Sequence, residues 1–317
     1  MATYTTQAAI GEREDLANVI YRIDPSECPA FSAIKKTTAS SIFTEWQVQN
    51  LDTASAVNYH DEGATTATGT AVPTVRVGNY CQISKKVFAT SGTLDAVDLA
   101  GREREHNYQK ILKSLELRRD IEKSITDTNQ ARDGSDPRKS ASLMTWISNG
   151  SVGATGAFAV GANGTATATA GTARALTLDM VQDAMQAAWE DGGNPKMLLA
   201  SATNRANLSD LSATGNLVSN DVNMTAAKAP TYVSSVSVML TDFGSIDIIP
   251  SRYMSNDKIF LIDPDFVELA TLNGRNFQEE ALAKNGDAET SHILVEWALK
   301  PTAPAAHAGI FDLDGTI

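Results

Sequence analysis

The sequence predicts an α+β fold, and three observations carry that prediction. Apolar residues alternate with a period of two between Ile42 and Ala89. A long charged stretch from Arg102 to Ile125 reads as one helix, and helical and strand-like segments mix from Leu176 onward. At 317 residues the chain suits one elaborate domain or two ordinary ones. With 26 basic and 38 acidic residues its net charge is −12, divided as −3 through Gln130 and −9 beyond it. That balance excludes a chain that coats nucleic acid through a general basic surface, because phosphate binding relies on clustered Lys and Arg. Cys28 and Cys81 form neither a disulfide framework nor a zinc spacing, and they fit a reduced compartment better than a bridge. The first residues lack the basic start and apolar core of a secretory signal, and no apolar run approaches the length of a membrane span. The expectation is a soluble chain made and used in cytoplasm.

Residues 1–40 read as an N-terminal arm. Leu16, Val19, Ile20 and Ile23 form a short helical stripe, which Pro25 and Pro29 interrupt because proline has no amide hydrogen to donate. A helix so short needs a surface to lie on, its own or a neighbour's. In residues 41–92, Ile42, Thr44, Trp46 and Val48 alternate with Phe43, Glu45 and Gln47. A second run places Val75, Val77, Cys81, Ile83, Val87 and Ala89 on one face and Arg76, Gln82, Ser84 and Lys86 on the other. Two such runs joined by the polar stretch 49–74 predict a long β-hairpin. A lone two-stranded ribbon is barely stable in water, so this one must rest on its own domain or on another subunit.

Arg102 to Ile125 contains no Gly or Pro and holds seven basic and five acidic residues among Ile111, Leu112, Leu115, Leu117, Ile121 and Ile125. It would make a rod of about 36 Å, and its mixed charges mark the solvated face of a structural helix. The 34 residues between Lys139 and Arg174 carry no charge. The small, glycine-rich heart of this stretch, residues 149–173, predicts an extended loop or thin strands rather than a large core, with a flexible linker as the competing reading. Next, Met180, Val181, Ala184, Met185, Ala188 and Trp189 share one helical face and read as core, and Gly192-Gly193-Asn194-Pro195 ends that helix. Residues 196–200 read as a buried strand and 202–211 as a second helix. Residues 232–240, 246–249, 258–262, 266–271 and 292–299 read as strands.

Chemistry is harder to find. Residues 309–316 (GIFDLDGT) match the first motif of haloacid-dehalogenase-type phosphatases, with Asp312 as nucleophile and Asp314 as acid–base. That reaction also needs a phosphate-binding hydroxyl, a lysine and a magnesium site on later strands, and only Ile317 follows Thr316. The motif therefore reads as a coincidental turn. The four histidines have no metal-like spacing, and neither a nucleophile elbow, a Walker loop nor a dinucleotide fingerprint is present. Asp263-Pro264-Asp265 lacks the acidic ladder of a calcium loop, and Lys284-Asn285-Gly286-Asp287 is a turn signature.

Arm, hairpin, long helix and mixed region follow one another with several specific segments: residues 11–25 (GEREDLANVIYRIDP), 41–47 (SIFTEWQ), 76–83 (RVGNYCQI), 116–122 (ELRRDIE), 241–244 (TDFG) and 282–289 (LAKNGDAE). Ser91-Gly-Thr and Ala100-Gly-Arg stand between them. In this order and number they resemble the major capsid (major head) proteins of tailed bacteriophages, which have the Hong Kong 97-type fold. The resemblance runs nearly end to end.

It implies an arm at 1–40, an extended loop at 41–92, a peripheral domain with its spine helix at 93–174, an axial domain at 175–265 and returning strands of both domains at 266–317. It further implies a structural protein, not an enzyme, without cofactor or metal. Pentamers and hexamers of such a subunit would close as a procapsid in the host bacterial cytoplasm and mature into a virion head around double-stranded DNA. A portal, and in some relatives scaffolding and decoration proteins, would be partners, with DNA touched weakly and no membrane involved. Subunit contacts are expected at Leu16, Ile20, Tyr21, Trp46, Tyr59, Arg76, Tyr80 and Lys86. Some relatives cross-link through a lysine and an asparagine, and the sequence assigns that role to none of Lys85, Lys86 or Lys284. An encapsulin-like compartment of the same fold is the alternative, and a phosphatase using Asp312 and Asp314 is a distant third.

Overall fold

The computed structural model describes residues 24–316 apart from residues 50, 66–68, 70, 102–103, 215–236 and 285. The helix expected at 12–23 lies outside the described residues, as does the start of the strand expected at 232–240. The first element among the described residues is α1 (Pro29–Ala33), which Pro29 opens after the non-helical residues 24–28. At the first helical position its missing N–H has no partner to lose. Strand β1 (Lys35–Ala39) follows, and then β2 (Phe43–Val48) pairs antiparallel with β3 (Val75–Tyr80), Trp46 lying opposite Val77.

The run read as the hairpin's second strand proves to be two strands. At Cys81 the chain leaves the ribbon, and β4 (Gln82–Ser91) pairs along β12 (Ala288–Pro301) in a different sheet. The switch is fixed by burial: Cys81 is fully enclosed, and its amide donates to the carbonyl of Ile42 at 2.8 Å. The alternation passes through Cys81 unbroken, which is why the pattern reads as one strand. The faces are also reversed from the usual rule. Phe88 and Thr90 point inward with Gln82, Ser84 and Lys86, while Ile83 and Val87 are 46% and 51% exposed. The inner polar side chains are all matched: Ser84 accepts from the Trp297 indole at 3.0 Å, and Lys86 pairs with Asp120 at 2.6 Å.

Asp120 belongs to α3 (Glu105–Thr126), the predicted long helix, which follows the short α2 (Gly92–Ala96). Leu117, Ile121 and Ile125 bury its inner stripe. The uncharged segment opens with core residues, Ala141, Leu143, Trp146 and Ile147. Only beyond them, from β5 (Asn149–Ser151), does it become the expected extended chain. There the backbones touch: Gly150, at φ +119°, sits so close to Gly309 that a Cβ would lie 2.0 Å from its carbonyl oxygen.

Helix α4 (Leu178–Glu190) starts at Thr177, whose hydroxyl accepts from the Met180 amide. Val181, Ala184, Met185 and Ala188 are buried as expected, but Trp189 is 56% exposed. It stands at the edge of the stripe and leans on Phe243, ring centroids 5.7 Å apart. The remaining elements are β6 (Met197–Ala200), α5 (Ala202–Thr214), β7 (Val238–Thr241), β8 (Gly244–Pro250), β9 (Lys258–Ile262), β10 (Val267–Leu272), β11 (Gln278–Ala281), β12 and β13 (Ala308–Phe311).

Two larger sheets result. In the first, β12 is the hub: β10 and β11 pair with successive stretches of one edge, β4 lies along the other, and β1 joins β10 in parallel. The second has the order β5-β13-β9-β6-β8-β7. Its central strands β6, β9 and β13 are buried on both faces: in β9, Phe260 and Ile262 join the core beneath α3 while Ile259 and Leu261 join the core beneath α4. Strands covered on both sides read as unbroken apolar runs, hence the legibility of residues 196–200 and 258–262.

Candidate assembly surface

The β2–β3 ribbon is rooted by a few well-placed side chains. Asn79 is fully buried, and its carboxamide donates to Ser140 Oγ at 3.1 Å and to the Leu299 carbonyl at 2.7 Å, while its oxygen accepts from the Ala141 amide at 2.9 Å. Tyr80 packs on Phe43 with centroids 4.5 Å apart and closes over Gly134. Arg132 sets its guanidinium 5.3 Å from the Phe43 ring centre and donates to the Gly78 carbonyl. Gly78 must be glycine, because a Cβ would come within 2.8 Å of the Thr44 carbonyl. The Trp46 ring lies 5.4 Å from that of Trp146, tying mid-ribbon to the core.

Beyond this root the ribbon displays apolar side chains. Leu51 is 98% exposed and Tyr59 79%, and Val57, Val72 and Val75 are exposed beside them. Asp52, Asp61 and Glu62 make the stretch 49–74 acidic. A groove of about 500 Å³ runs between ribbon and body, lined by Val48, Leu51, Val72, Val75, Arg132 and Pro304 among others. Ile83 and Val87 on the outer face of β4 add a second exposed apolar area.

Of the expected contact residues, Leu16, Ile20 and Tyr21 lie outside the described residues. Tyr59 projects freely. Arg76 pairs across the ribbon with Glu45 at 2.7 Å, its side chain still 70% exposed. Trp46 and Tyr80 pack within their own subunit, and Lys86 is held by Asp120. Leu51, Val57, Ile83 and Val87 are not among the expected contact residues, although Ile83 and Val87 stand on the apolar face that the alternation marks. The available signal for the first two was an apolar side chain recurring inside an otherwise polar linker.

The phosphatase-like residues have structural partners. Asp312, at φ +62°, accepts the amides of Gly153 at 3.0 Å and Gly171 at 2.9 Å, so it fastens both sides of the glycine-rich loop to the end of β13. Asp314 accepts the amide and hydroxyl of Thr316 at 2.8 and 2.7 Å. Both cysteines are free and buried, and burial pushes the Cys28 thiol up to about 11. Among the described residues no group of three or more His, Cys, Asp or Glu could hold a metal ion, and no helix is long and apolar enough to cross a membrane.

The family model of the SU10 major capsid protein matches residues 2–314. The chain belongs to that family. A major capsid protein of Escherichia phage Phieco32 is 34% identical over 122 residues, a stretch covering 38% of this chain and 34% of that relative. Among solved structures, the capsid asymmetric unit of cyanophage A-1(L) matches with a TM-score of 0.65 at 12% identity, covering 98% of both chains. The holo-SrpI encapsulin complex of Synechococcus elongatus PCC 7942 matches with a TM-score of 0.59 at 10% identity, covering 100% of this chain and 98% of that one. The fold of this SU10-family protein is accordingly the Hong Kong 97-type α+β fold that its sequence resembles. Fold alone does not separate a phage head from an encapsulin; the family does, and it places the chain among phage major capsid proteins.

Proposed function

We propose that this protein is the structural subunit that closes, as pentamers and hexamers, into the icosahedral head of a tailed phage around double-stranded DNA. The observation that carries the reading is the stretch joining β2 to β3, whose Leu51, Val57 and Tyr59 have no cover in a single copy. Apolar side chains displayed together on a polar segment mark an interaction surface, and closed symmetric assembly supplies a partner to every copy at once. In this reading residues 1–40 are the arm and 41–92 the extended loop, of which the ribbon up to Tyr80 reaches out and β4 anchors. Residues 93–174 form the peripheral domain with α3 as its spine, 175–265 the axial domain on the six-stranded sheet, and 266–317 the strands returning through both.

Subunit assembly takes place in the host cytoplasm, a portal and possible scaffolding and decoration proteins complete the head, and expansion matures it. A net charge of −12 suits a wall that encloses DNA without gripping phosphate. The same reading makes the chain a non-enzyme, with Asp312 and Asp314 serving their turns.

Deleting residues 49–74 tests it. The expected product is a subunit that melts cooperatively but forms no shells in electron micrographs; full-sized shells would overturn the assembly role given to residues 49–74, and wild-type protein that forms no shells would overturn the capsid reading itself. Sedimented wild-type particles should contain DNA when made in infected cells; a packaged enzyme in its place would favour the encapsulin reading.

A further inference from the structure

Of the described charged residues of the long helix, Glu122 is the one that is completely enclosed. Its Oε1 accepts the Ala30 amide at 3.1 Å and its Oε2 the Phe31 amide at 2.6 Å, and Ser251 Oγ donates to Oε1 at 3.4 Å. The two amides belong to the first turn of α1. That helix has only five residues and Cys28 at its cap position, which gives it no side-chain hydrogen bond. A helix so short does not persist alone, and a carboxylate on its first amides supplies the missing cap from another element. At the other end Lys36 Nζ donates to the carbonyls of Phe31 and Ile34, the latter at 3.0 Å. Upstream, the Pro25 carbonyl accepts from Tyr253 at 2.7 Å and from Arg119 at 3.4 Å. Residues 24–27 are otherwise exposed.

We propose that residues 24–34 are a releasable strap and that the Glu122 carboxylate is its latch, joining the strap at once to α3 and to the loop after β8 that carries Ser251 and Tyr253. Closed, the strap fixes the course of residues 24–34 over the body; open, it frees that course to move. Ala30 and Ile34 also seat this segment in the main core, so the latch holds a strap that must leave the core to open. Burial raises the Glu122 carboxyl, so holding its charge is costly, and the amides of Phe31 and Ala30, the Ser251 hydroxyl and Lys36 only offset that cost. Other charged or titratable neighbours are Cys28 on the strap, Arg118 and Arg119 on α3, and Arg252 and Tyr253 on the loop. The latch is a property of one subunit. Its consequence for a shell rests on the capsid reading, but its test does not.

That test is amide hydrogen exchange on the full-length soluble subunit. Glu122→Gln keeps the shape but leaves one acceptor oxygen for two amides. It should speed exchange in residues 28–34 by about tenfold while the rest of α3 and the six-stranded sheet hold their rates. Tyr253→Phe, outside the enclosed cluster, should loosen only residues 24–28 and guards against a Glu122→Gln chain that fails to fold. Unchanged exchange across 24–34 in both variants, or strap exchange that rises only with exchange everywhere, would show a fixed part of the core and overturn the proposal.

Discussion

Strand β9 of the six-stranded sheet buries all five of its residues, whereas β2 and β3 together bury only Gly78 and Asn79. Both are β structure in one chain, and both carry large apolar side chains. The difference is where their apolar side chains end. β9 has one core on each face, so a single copy satisfies it. The ribbon has a root, a half-covered middle and a tip in solvent, so one copy leaves it incomplete. Substitutions in the sheet should therefore act on the folding of the subunit, and substitutions at the ribbon tip on its association.

The largest effect belongs to the sheet. Phe260 is fully buried and meets Phe311 edge-on at 5.8 Å. Phe260→Ala should cost about 3–5 kcal/mol in chemical denaturation of the soluble subunit. A loss under 1 kcal/mol would mean that the two-sided burial is not what holds the sheet.

The same region should respond to pH. His307 is wholly buried just before β13, its Nδ1 accepts the Asp263 amide at 3.2 Å, and burial lowers its pKa from 6.5 to about 4. A histidine depressed in the folded state binds its proton more readily when unfolded. Stability is then full above pH 6.5 and falls as pH drops toward 4, by roughly 3 kcal/mol at 1.36 kcal/mol per unit. His307→Gln should flatten that slope relative to wild type, measured as denaturation midpoints across the interval; parallel slopes would count against it.

At the join between the two regions, Asn79→Ala strips the Ala141 amide of its acceptor and the Leu299 carbonyl of a donor. A buried amide left unpaired costs about 1–3 kcal/mol. Here the change should also loosen the ribbon, seen as faster exchange in residues 43–48 and 75–80 with the six-stranded sheet unaffected. Equal acceleration in both would show that the root does not separate them.

How much of this was legible follows the same division. Residues 258–262 and the stripe Leu117, Ile121 and Ile125 announce themselves because burial and periodicity agree. The split at Cys81 is hidden, since moving from one sheet to another without a slip in alternation leaves no mark in the pattern. The outward turn of Ile83 and Val87 is hidden for a further reason. Polar groups on the inner face of β4 find partners in α3 and Trp297, and a sequence does not show partners so far along the chain. Glu122 looks like one more solvated charge on a charged helix until the fold brings Ala30 and Phe31 against it.

The smallest effect on folding should come from Tyr59. Its ring is 79% exposed, so Tyr59→Ala removes almost no contact within the subunit, and such surface changes usually shift stability by no more than about 0.5 kcal/mol. Association is another matter. If the ring is buried against a second copy, each subunit loses that contact, and a loss of even about 1.4 kcal/mol per subunit raises the concentration needed for assembly about tenfold. Light scattering against protein concentration measures that threshold, and a denaturation curve on the same sample shows whether the fold is intact. An unmoved threshold with an unmoved midpoint would take Tyr59 out of the contact surface and shift attention to Leu51 and Val57. A shifted midpoint would break the comparison itself, because the tip would then be part of what folds the subunit.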